Sequence, residues 1–218
     1  MPIVNDGFIM TAQNSWKTLR QNAPLLSYSL LFQPPKDRAC LADLFSLGLE
    51  FDFILAQASE PMLALIRLKW WEEQNDNNST GSLPLLDRIH AHIAAERLKK
   101  QDILALLSCW QDFAEAGEQR HEKGQHCWAE LLALSIAQYG RSDDRLARQI
   151  GCALYDSRNG RIAAPLPNAQ AIYTEYGKGS EFLILLAYLA KHGGSQDMSS
   201  DHLILFRMVW QVLIRPSA

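Results

Sequence analysis

LADLFSLGLEFDFILAQASEPMLALIRLKWWEEQ, residues 41–74, is the stretch of sequence that decides the fold prediction. Its apolar residues recur at helical spacing in two runs, which are separated at Ser59–Pro61. Pro61 is tolerated in the first turn of a helix, because the N–H that it lacks would have no partner within the helix there. The stretch therefore predicts two consecutive helices, near Lys36–Ala58 and Glu60–Gln74.

The rest of the chain continues the helical pattern, without the alternating runs and hairpin turns that indicate strands. Further helices are predicted near Ala12–Gln21, Pro84–Leu98, Gln101–Ala116, Glu118–Tyr139, Asp143–Tyr155, Glu181–His192 and Ser200–Ile214, with an irregular segment at Ser157–Pro167. Several of these helices are apolar on nearly every side, as expected at the centre of a packed bundle. The sequence thus predicts an all-α protein, a single domain over residues 1–218 with roughly eight to ten helices.

Composition and charge narrow the classes of function. The chain has 218 residues, 48% of them hydrophobic, and a net charge of −3. This balance disfavours nucleic-acid binding, which needs a basic surface. The N-terminus lacks the pattern of a secretory signal, and no apolar run approaches the roughly 18 residues that span a bilayer. The four cysteines are widely spaced, which favours reduced thiols and a cytoplasmic protein without a transmembrane segment.

One carboxylate within the first of the two deciding helices stands out. On a helical wheel Asp52 lies near the middle of an apolar face formed by residues such as Leu44 and Leu55. A charge in that position needs a partner, because an unpaired buried charge is costly. Asp52 is therefore either an acid that lines a cavity or an acid that pairs helices, with Arg67 of the next helix as a candidate partner.

The order of these features resembles the squalene/phytoene synthase family. The resemblance is carried by the proline-marked entry Gln33–Pro35, the helix that contains Asp52, and the helix 60–73 with its Arg-x-x-Trp-Trp ending. It implies an isoprenoid-synthase-like fold. A non-enzymatic branch of that superfamily, which includes the mitochondrial complex I assembly factor and its bacterial relatives, is similar to helix 60–73 at least as closely.

The family holds magnesium diphosphates with two aspartate-rich motifs, and neither motif is intact in this chain. In the first, Asp-x-x-x-Asp, Asp52 matches the first acid, while Ala56 stands at the position of the last. In the second, the flanks Gly151–Leu154 and Gly160–Pro167 are recognisable, but the segment between them is compressed and retains only Asp156 as an acid. Asp52 and Asp156 are thus interpreted as relics of the two motifs, and no metal site is expected.

The resemblance also suggests residues that could contact substrate: Ser27, Tyr28, Arg67 and Arg161. Other interpretations remain for two of these positions. The segment that contains Ser27 and Tyr28 is also typical of a helix terminus, and Arg67 could stack on a tryptophan of its own helix. The literal Asp-x-x-x-Asp of Asp197 and Asp201 lies in a predicted loop and is interpreted as a helix cap.

Three functions follow as hypotheses. The first is a non-catalytic protein that binds a prenyl chain or another apolar ligand, or that assists a protein partner from a membrane complex. It needs no cofactor, and in the partner-binding form it would sit peripherally at the inner membrane. The second is an active Mg²⁺-dependent prenyltransferase of isoprenoid biosynthesis, which condenses two allylic diphosphates head to head. The third is a helical interaction module whose likeness to the family is only ancestral.

Overall fold

The computed structural model describes residues 15–76, 83–137, 139, 143–161, 164–177 and 181–192, and the regular elements within these ranges are all helical. The helices are α1 (15–22), α2 (Pro24–Ser29), α3 (Pro35–Gln57), α4 (Pro61–Asp76), α5 (Pro84–Ala94), α6 (Lys100–Glu115), α7 (Arg120–Ala137), α8 (Arg145–Arg158), α9 (Ala169–Tyr176) and α10 (Glu181–His192), with a 3-10 turn at Gly117–Gln119. The predicted all-α bundle is confirmed.

Proline marks the start of four successive helices, α2 to α5, at Pro24, Pro35, Pro61 and Pro84. In the first turn the missing N–H of proline costs no hydrogen bond, and its fixed φ already matches the helix. The prolines that divide the sequence into segments therefore also set where these helices begin.

The centre of the bundle is α3, which packs against α4, α5, α6 and α7. Its buried residues lie on more than one side of the helix and include Leu41, Phe45 and Phe51. On the other side of α7 lies α8, which also contacts α10, and α10 in turn packs on α2 and α9. The described helices thus share one continuous hydrophobic core.

Two glycines let α7 and α8 approach closely. A Cβ atom on Gly151 of α8 would lie 2.4 Å from the carbonyl oxygen of Trp128 on α7. A Cβ atom on Gly124 of α7 would lie 2.2 Å from the ring of Tyr155 on α8. Real Cβ atoms are essentially never found at such distances, so Gly151 lets the middle of α8 approach the backbone of α7, and Gly124 leaves room for the ring of Tyr155.

The structure departs from the predicted elements in four places. The helices α2 and α9 were not predicted, α5 ends at Ala94 instead of Leu98, and α8 continues to Arg158 where the irregular segment was expected to begin at Ser157. The predicted helix at Ser200–Ile214 lies outside the described residues.

Candidate functional site

Asp52 lies where four helices meet. Its Oδ1 accepts a hydrogen bond of 3.0 Å from the indole N–H of Trp110 on α6. Its Oδ2 accepts a second one, also 3.0 Å, from the indole N–H of Trp128 on α7. Both tryptophans are fully buried, so the carboxylate is the hydrogen-bond acceptor for two indoles inside the core. These interactions match the helix-pairing interpretation of Asp52.

The cation beside Asp52 is Arg158, the last residue of α8. Its Nη2 lies 3.5 Å from Oδ2 of Asp52, and its guanidinium lies 4.5 Å from the ring centre of Trp128. The indole face attracts the guanidinium, and the stacking holds its plane beside the carboxylate. The suggestion that Arg67 of the next helix pairs with Asp52 is therefore wrong. Arg67 is instead an exposed residue of α4.

Burial affects the ionisation of both groups. It raises the pKa of the Asp52 carboxyl above its usual range, while Arg158 and the two indole N–H groups act in the opposite direction. Burial likewise lowers the pKa of the Arg158 guanidinium, and the charge of Asp52 opposes that effect. The partial exposure of both side chains, 20% for Asp52 and 33% for Arg158, places the pair at the edge of the core.

An apolar groove of about 380 Å³ lies next to this pair, and we call it the Arg158 groove. Its lining comes from the end of α1, from α2, α3, α8 and α10: Asn22, Ala23, Pro24, Leu25, Leu26, Tyr28, Leu49, Leu154, Ser157, Arg158 and Leu189. Five of these residues are leucines, and the polar groups are few. Such a cleft, apolar with a small number of polar groups, is typical of sites for small molecules.

Asp156 belongs to a separate cluster, formed by residues near the start of α7 and the end of α8. Both of its carboxylate oxygens lie 2.9 Å from Nε2 of Gln125, and Oδ1 lies 3.1 Å from Nε2 of His121. The side chain is buried. The two acids that the sequence singled out are thus each engaged with partners of their own.

The other predicted site residues have different surroundings. Tyr28 lines the Arg158 groove. Ser27 is buried and donates a hydrogen bond of 2.7 Å to the carbonyl of Pro24, within its own helix α2. Arg161 is exposed just after α8, and its backbone N–H donates to the carbonyl of Asp156. Of the four suggested contact residues, only Tyr28 is found in the lining of the groove.

Asp197 and Asp201 lie outside the described residues, so their interpretation as a helix cap stays a prediction.

Sequence reasoning missed a second acid of α3. Asp43 is buried, with 1% of its side chain exposed, and accepts hydrogen bonds from Ser15 at 2.9 Å and from Nε of Arg88 at 2.8 Å. Nε2 of His92 lies 3.0 Å from the same carboxylate. An ionised carboxylate only accepts, so this nitrogen carries the proton of the ring. The cluster ties α1 and α5 to α3.

Three residues of the Asp52 assembly were also missed as site residues: Trp110, Trp128 and Arg158. Trp128 lies in the predicted helix Glu118–Tyr139, and Arg158 lies in the compressed segment between the two flanks of the second motif. Local sequence patterns cannot predict the hydrogen bonds from these tryptophans to Asp52, because Trp110 and Trp128 are 58 and 76 positions away from it.

The carboxylate oxygens of Asp52 and Asp156 are not arranged to bind the magnesium ions that the family resemblance implies. A divalent magnesium ion needs free carboxylate oxygens, and several of them when it also bridges diphosphates. The oxygens of Asp52 accept from two indoles and face a guanidinium, while those of Asp156 contact an amide and an imidazole. Within the described ranges, no group of three or more histidine, cysteine or acidic residues is placed to share an ion.

The exposed side of α4 is unusually apolar. Met62, Leu63, Ile66 and Trp70 are each 43–62% exposed, and we call these four residues the α4 face. Ile66 follows Met62 and Leu63 by four and three positions, and Trp70 follows Ile66 by four, so the four residues lie along one side of the helix.

The chain was compared with models of protein families, with curated proteins and with solved structures, and none of them matches. In the part of the chain that the structure describes, no helix combines the length and hydropathy required to cross a bilayer.

Proposed function

We propose that the chain is a squalene/phytoene-synthase-like helical protein that does not condense prenyl diphosphates and instead binds an apolar ligand in the Arg158 groove. The observation that carries the proposal is the groove itself, about 380 Å³ in volume and lined largely by leucines. Its volume lies within the range of about 300–1,000 Å³ that is usual for small-molecule sites.

The state of Asp52 supports a role without prenyl condensation. A carboxylate that bridges two buried indoles and a guanidinium contributes to the packing of four helices, and its oxygens are already engaged. To bind a metal ion it would have to release donors that are buried in the core, and each buried donor left unpaired costs about 1–3 kcal/mol.

Filling the groove should abolish binding. Leu49 is a half-buried leucine of α3 that lines the groove, so Leu49→Trp should place an indole inside it. We expect 1-decanol, titrated calorimetrically below its solubility limit, to bind the wild type and to bind Leu49→Trp at least about tenfold more weakly, a loss of about 1.4 kcal/mol.

The matched control is Leu65→Trp, a half-buried leucine of α4 that does not line the groove. It should bind 1-decanol like the wild type. Absence of binding to the wild type, or equal binding to Leu49→Trp, would contradict ligand binding in the groove. Formation of squalene or phytoene from farnesyl or geranylgeranyl diphosphate and Mg²⁺ would instead favour the prenyltransferase alternative.

The α4 face favours a second candidate function, the binding of a protein partner. Exposed patches of several large apolar residues are uncommon on monomers and often mark interaction sites. The resemblance to the assembly-factor branch suggests that the partner is a subunit of a membrane complex, which would place the chain peripherally at the inner membrane. The α4 face and the Arg158 groove have no residue in common, so the two functions can be tested separately.

A charge on the α4 face should remove such a partner without affecting the fold. Ile66 is 58% exposed, so we expect Ile66→Glu to change the free energy of unfolding by less than about 0.5 kcal/mol. Affinity purification from source cells should recover a membrane-complex subunit with the wild type but not with Ile66→Glu.

The matched control is Phe32→Glu, an exposed phenylalanine outside the α4 face. This variant should retain the partner. If Ile66→Glu recovers the same subunit as the wild type, the α4 face is not its binding site.

A further inference from the structure

We infer that the Arg158 groove selects a single-chain amphiphile with one carboxylate at its head, and that Arg158 binds this carboxylate. The inference rests on the proposed function, because it names the class of ligand for the same groove. Four features of the groove support it: the charge of its lining, the donors that Arg158 retains, the fixed position of the guanidinium, and the volume.

The charge of the lining favours an anion with a single charge. Among the residues that the structure describes, Arg158 is the one charged side chain that lines the groove, and the other polar lining side chains are those of Asn22, Tyr28 and Ser157. This one guanidinium also faces Asp52, so it can accept at most one further negative charge from the head of a ligand. A diphosphate carries several charges and would need more cations than this lining supplies.

The guanidinium retains hydrogen-bond donors for a ligand. It has five N–H donors. Among the described residues its ion-pair partner is Asp52, at the rather long N–O distance of 3.5 Å. Asp52 depends little on this contact for hydrogen bonding, because both of its oxygens already accept from indoles at 3.0 Å. The planar fork of an arginine matches the two oxygens of a carboxylate.

The position of the Arg158 guanidinium is fixed by the indole ring of Trp128. It stacks at 4.5 Å on the ring of Trp128, which is fully buried and hydrogen-bonded to Asp52. One-third of the side chain remains exposed. A donor group held in place by a rigid aromatic support loses little conformational entropy when a ligand binds.

The volume of the groove is suited to an alkyl chain of medium length. About 380 Å³ lies near the lower end of the range of about 300–1,000 Å³ that is usual for small-molecule sites. The leucines of the lining provide the apolar surface that such a chain requires. Fatty-acid-type carboxylates of medium length combine this chain with the required head group.

Decanoate and 1-decanol separate the contribution of the head group from that of the chain. At neutral pH we expect calorimetry to show decanoate binding about 10- to 100-fold more tightly than 1-decanol, as a charge-assisted hydrogen bond predicts. Asp52→Asn keeps Arg158 and removes the competing charge, so it should retain or increase the preference for decanoate.

The double variant Asp52→Asn/Arg158→Gln removes the cation without leaving an unpaired carboxylate in the core. It should bind both ligands with equal affinity, at the level of 1-decanol. If the wild type binds the two ligands equally, or the double variant still prefers decanoate, the assignment to Arg158 is wrong and the groove remains an apolar site. If neither ligand binds the wild type, the proposed function itself is wrong.

Discussion

An Asp43→Ala protein should lose about 3–5 kcal/mol of unfolding free energy, because it breaks a buried ion pair and removes the carboxylate that Nε of Arg88 and Nε2 of His92 contact. Asp43 and His92 are almost completely buried, with 1% and 4% of their side chains exposed, and Arg88 is 19% exposed. The total stability of a domain is only about 5–15 kcal/mol, so this loss is a large part of it. Urea denaturation followed by circular dichroism measures the difference.

Asp37→Ala is the matched control on the same helix. Asp37 lies in the first turn of α3 and faces Arg97 at 3.6 Å, with both side chains nearly one-fifth exposed. A partly solvated pair of this kind contributes up to about 1 kcal/mol. Equal losses for Asp37→Ala and Asp43→Ala would show that the buried cluster around Asp43 contributes no more to the free energy of unfolding than a partly solvated ion pair.

The second large effect is expected for Asp52→Ala. The variant would leave the indole N–H groups of Trp110 and Trp128 without an acceptor in the core, at about 1–3 kcal/mol each. We expect a total loss of about 3–5 kcal/mol, since the positive charge of Arg158 also loses its partner.

Glu72→Ala is the control for this variant, because Glu72 also accepts from two side chains, those of Lys69 and Gln111. Lys69 is well exposed, so the loss for Glu72→Ala should be much smaller than the loss for Asp52→Ala. A loss at Asp52 no larger than the one at Glu72 would exclude the buried acceptor role of Asp52.

The pH dependence of stability tests the ionisation of Asp52. Burial raises the pKa of its carboxyl above the usual 3.8. Between pH 3.8 and the raised pKa of the native state, the Asp52 carboxyl therefore holds a proton in the native state that it has lost in the unfolded state. This contribution to stability is fully present below pH 3.8 and is lost as the pH rises through the native pKa.

Asp52→Asn cannot titrate at this position, so it isolates the contribution. The free energy of unfolding of the wild type, minus that of Asp52→Asn, should decrease from about pH 3 to pH 7. Urea titrations of both proteins across this range measure it. An increase with pH would mean that Arg158 and the indoles outweigh burial and lower the pKa instead.

How far the sequence predicts this site depends on which interactions are local. The helical wheel identified Asp52 as an acid on an apolar face, and the structure gives it buried partners. The same wheel overlooks Asp43, which lies nine residues earlier and hence on the opposite side of α3. A single apolar face was assumed, whereas α3 is central and buried on both sides. An acid inside the apolar run Leu41–Phe45 was the available signal.

The missed helices have a similar explanation. Helix α2 begins with Pro24; proline is favourable in the first turn of a helix but equally typical of a turn, so the residue alone does not predict a helix. At α9 the side chain of Asn168 accepts a hydrogen bond from the backbone N–H of Ala171, a capping pattern that the sequence contains. The continuation of α8 to Arg158 follows from packing against α7 and α10, which local propensity does not report.

The two acids on opposite sides of α3 bear on how the chain folds. The donors to Asp43 come from α1 and α5, and those to Asp52 from α6, α7 and α8, so they come from both the N-terminal and the C-terminal side of α3 in the sequence. A half-assembled bundle would hold at least one of these carboxylates in an apolar setting without its donors, which is energetically unfavourable. Partially structured forms are therefore disfavoured, and assembly of the two ends around α3 becomes a single cooperative event.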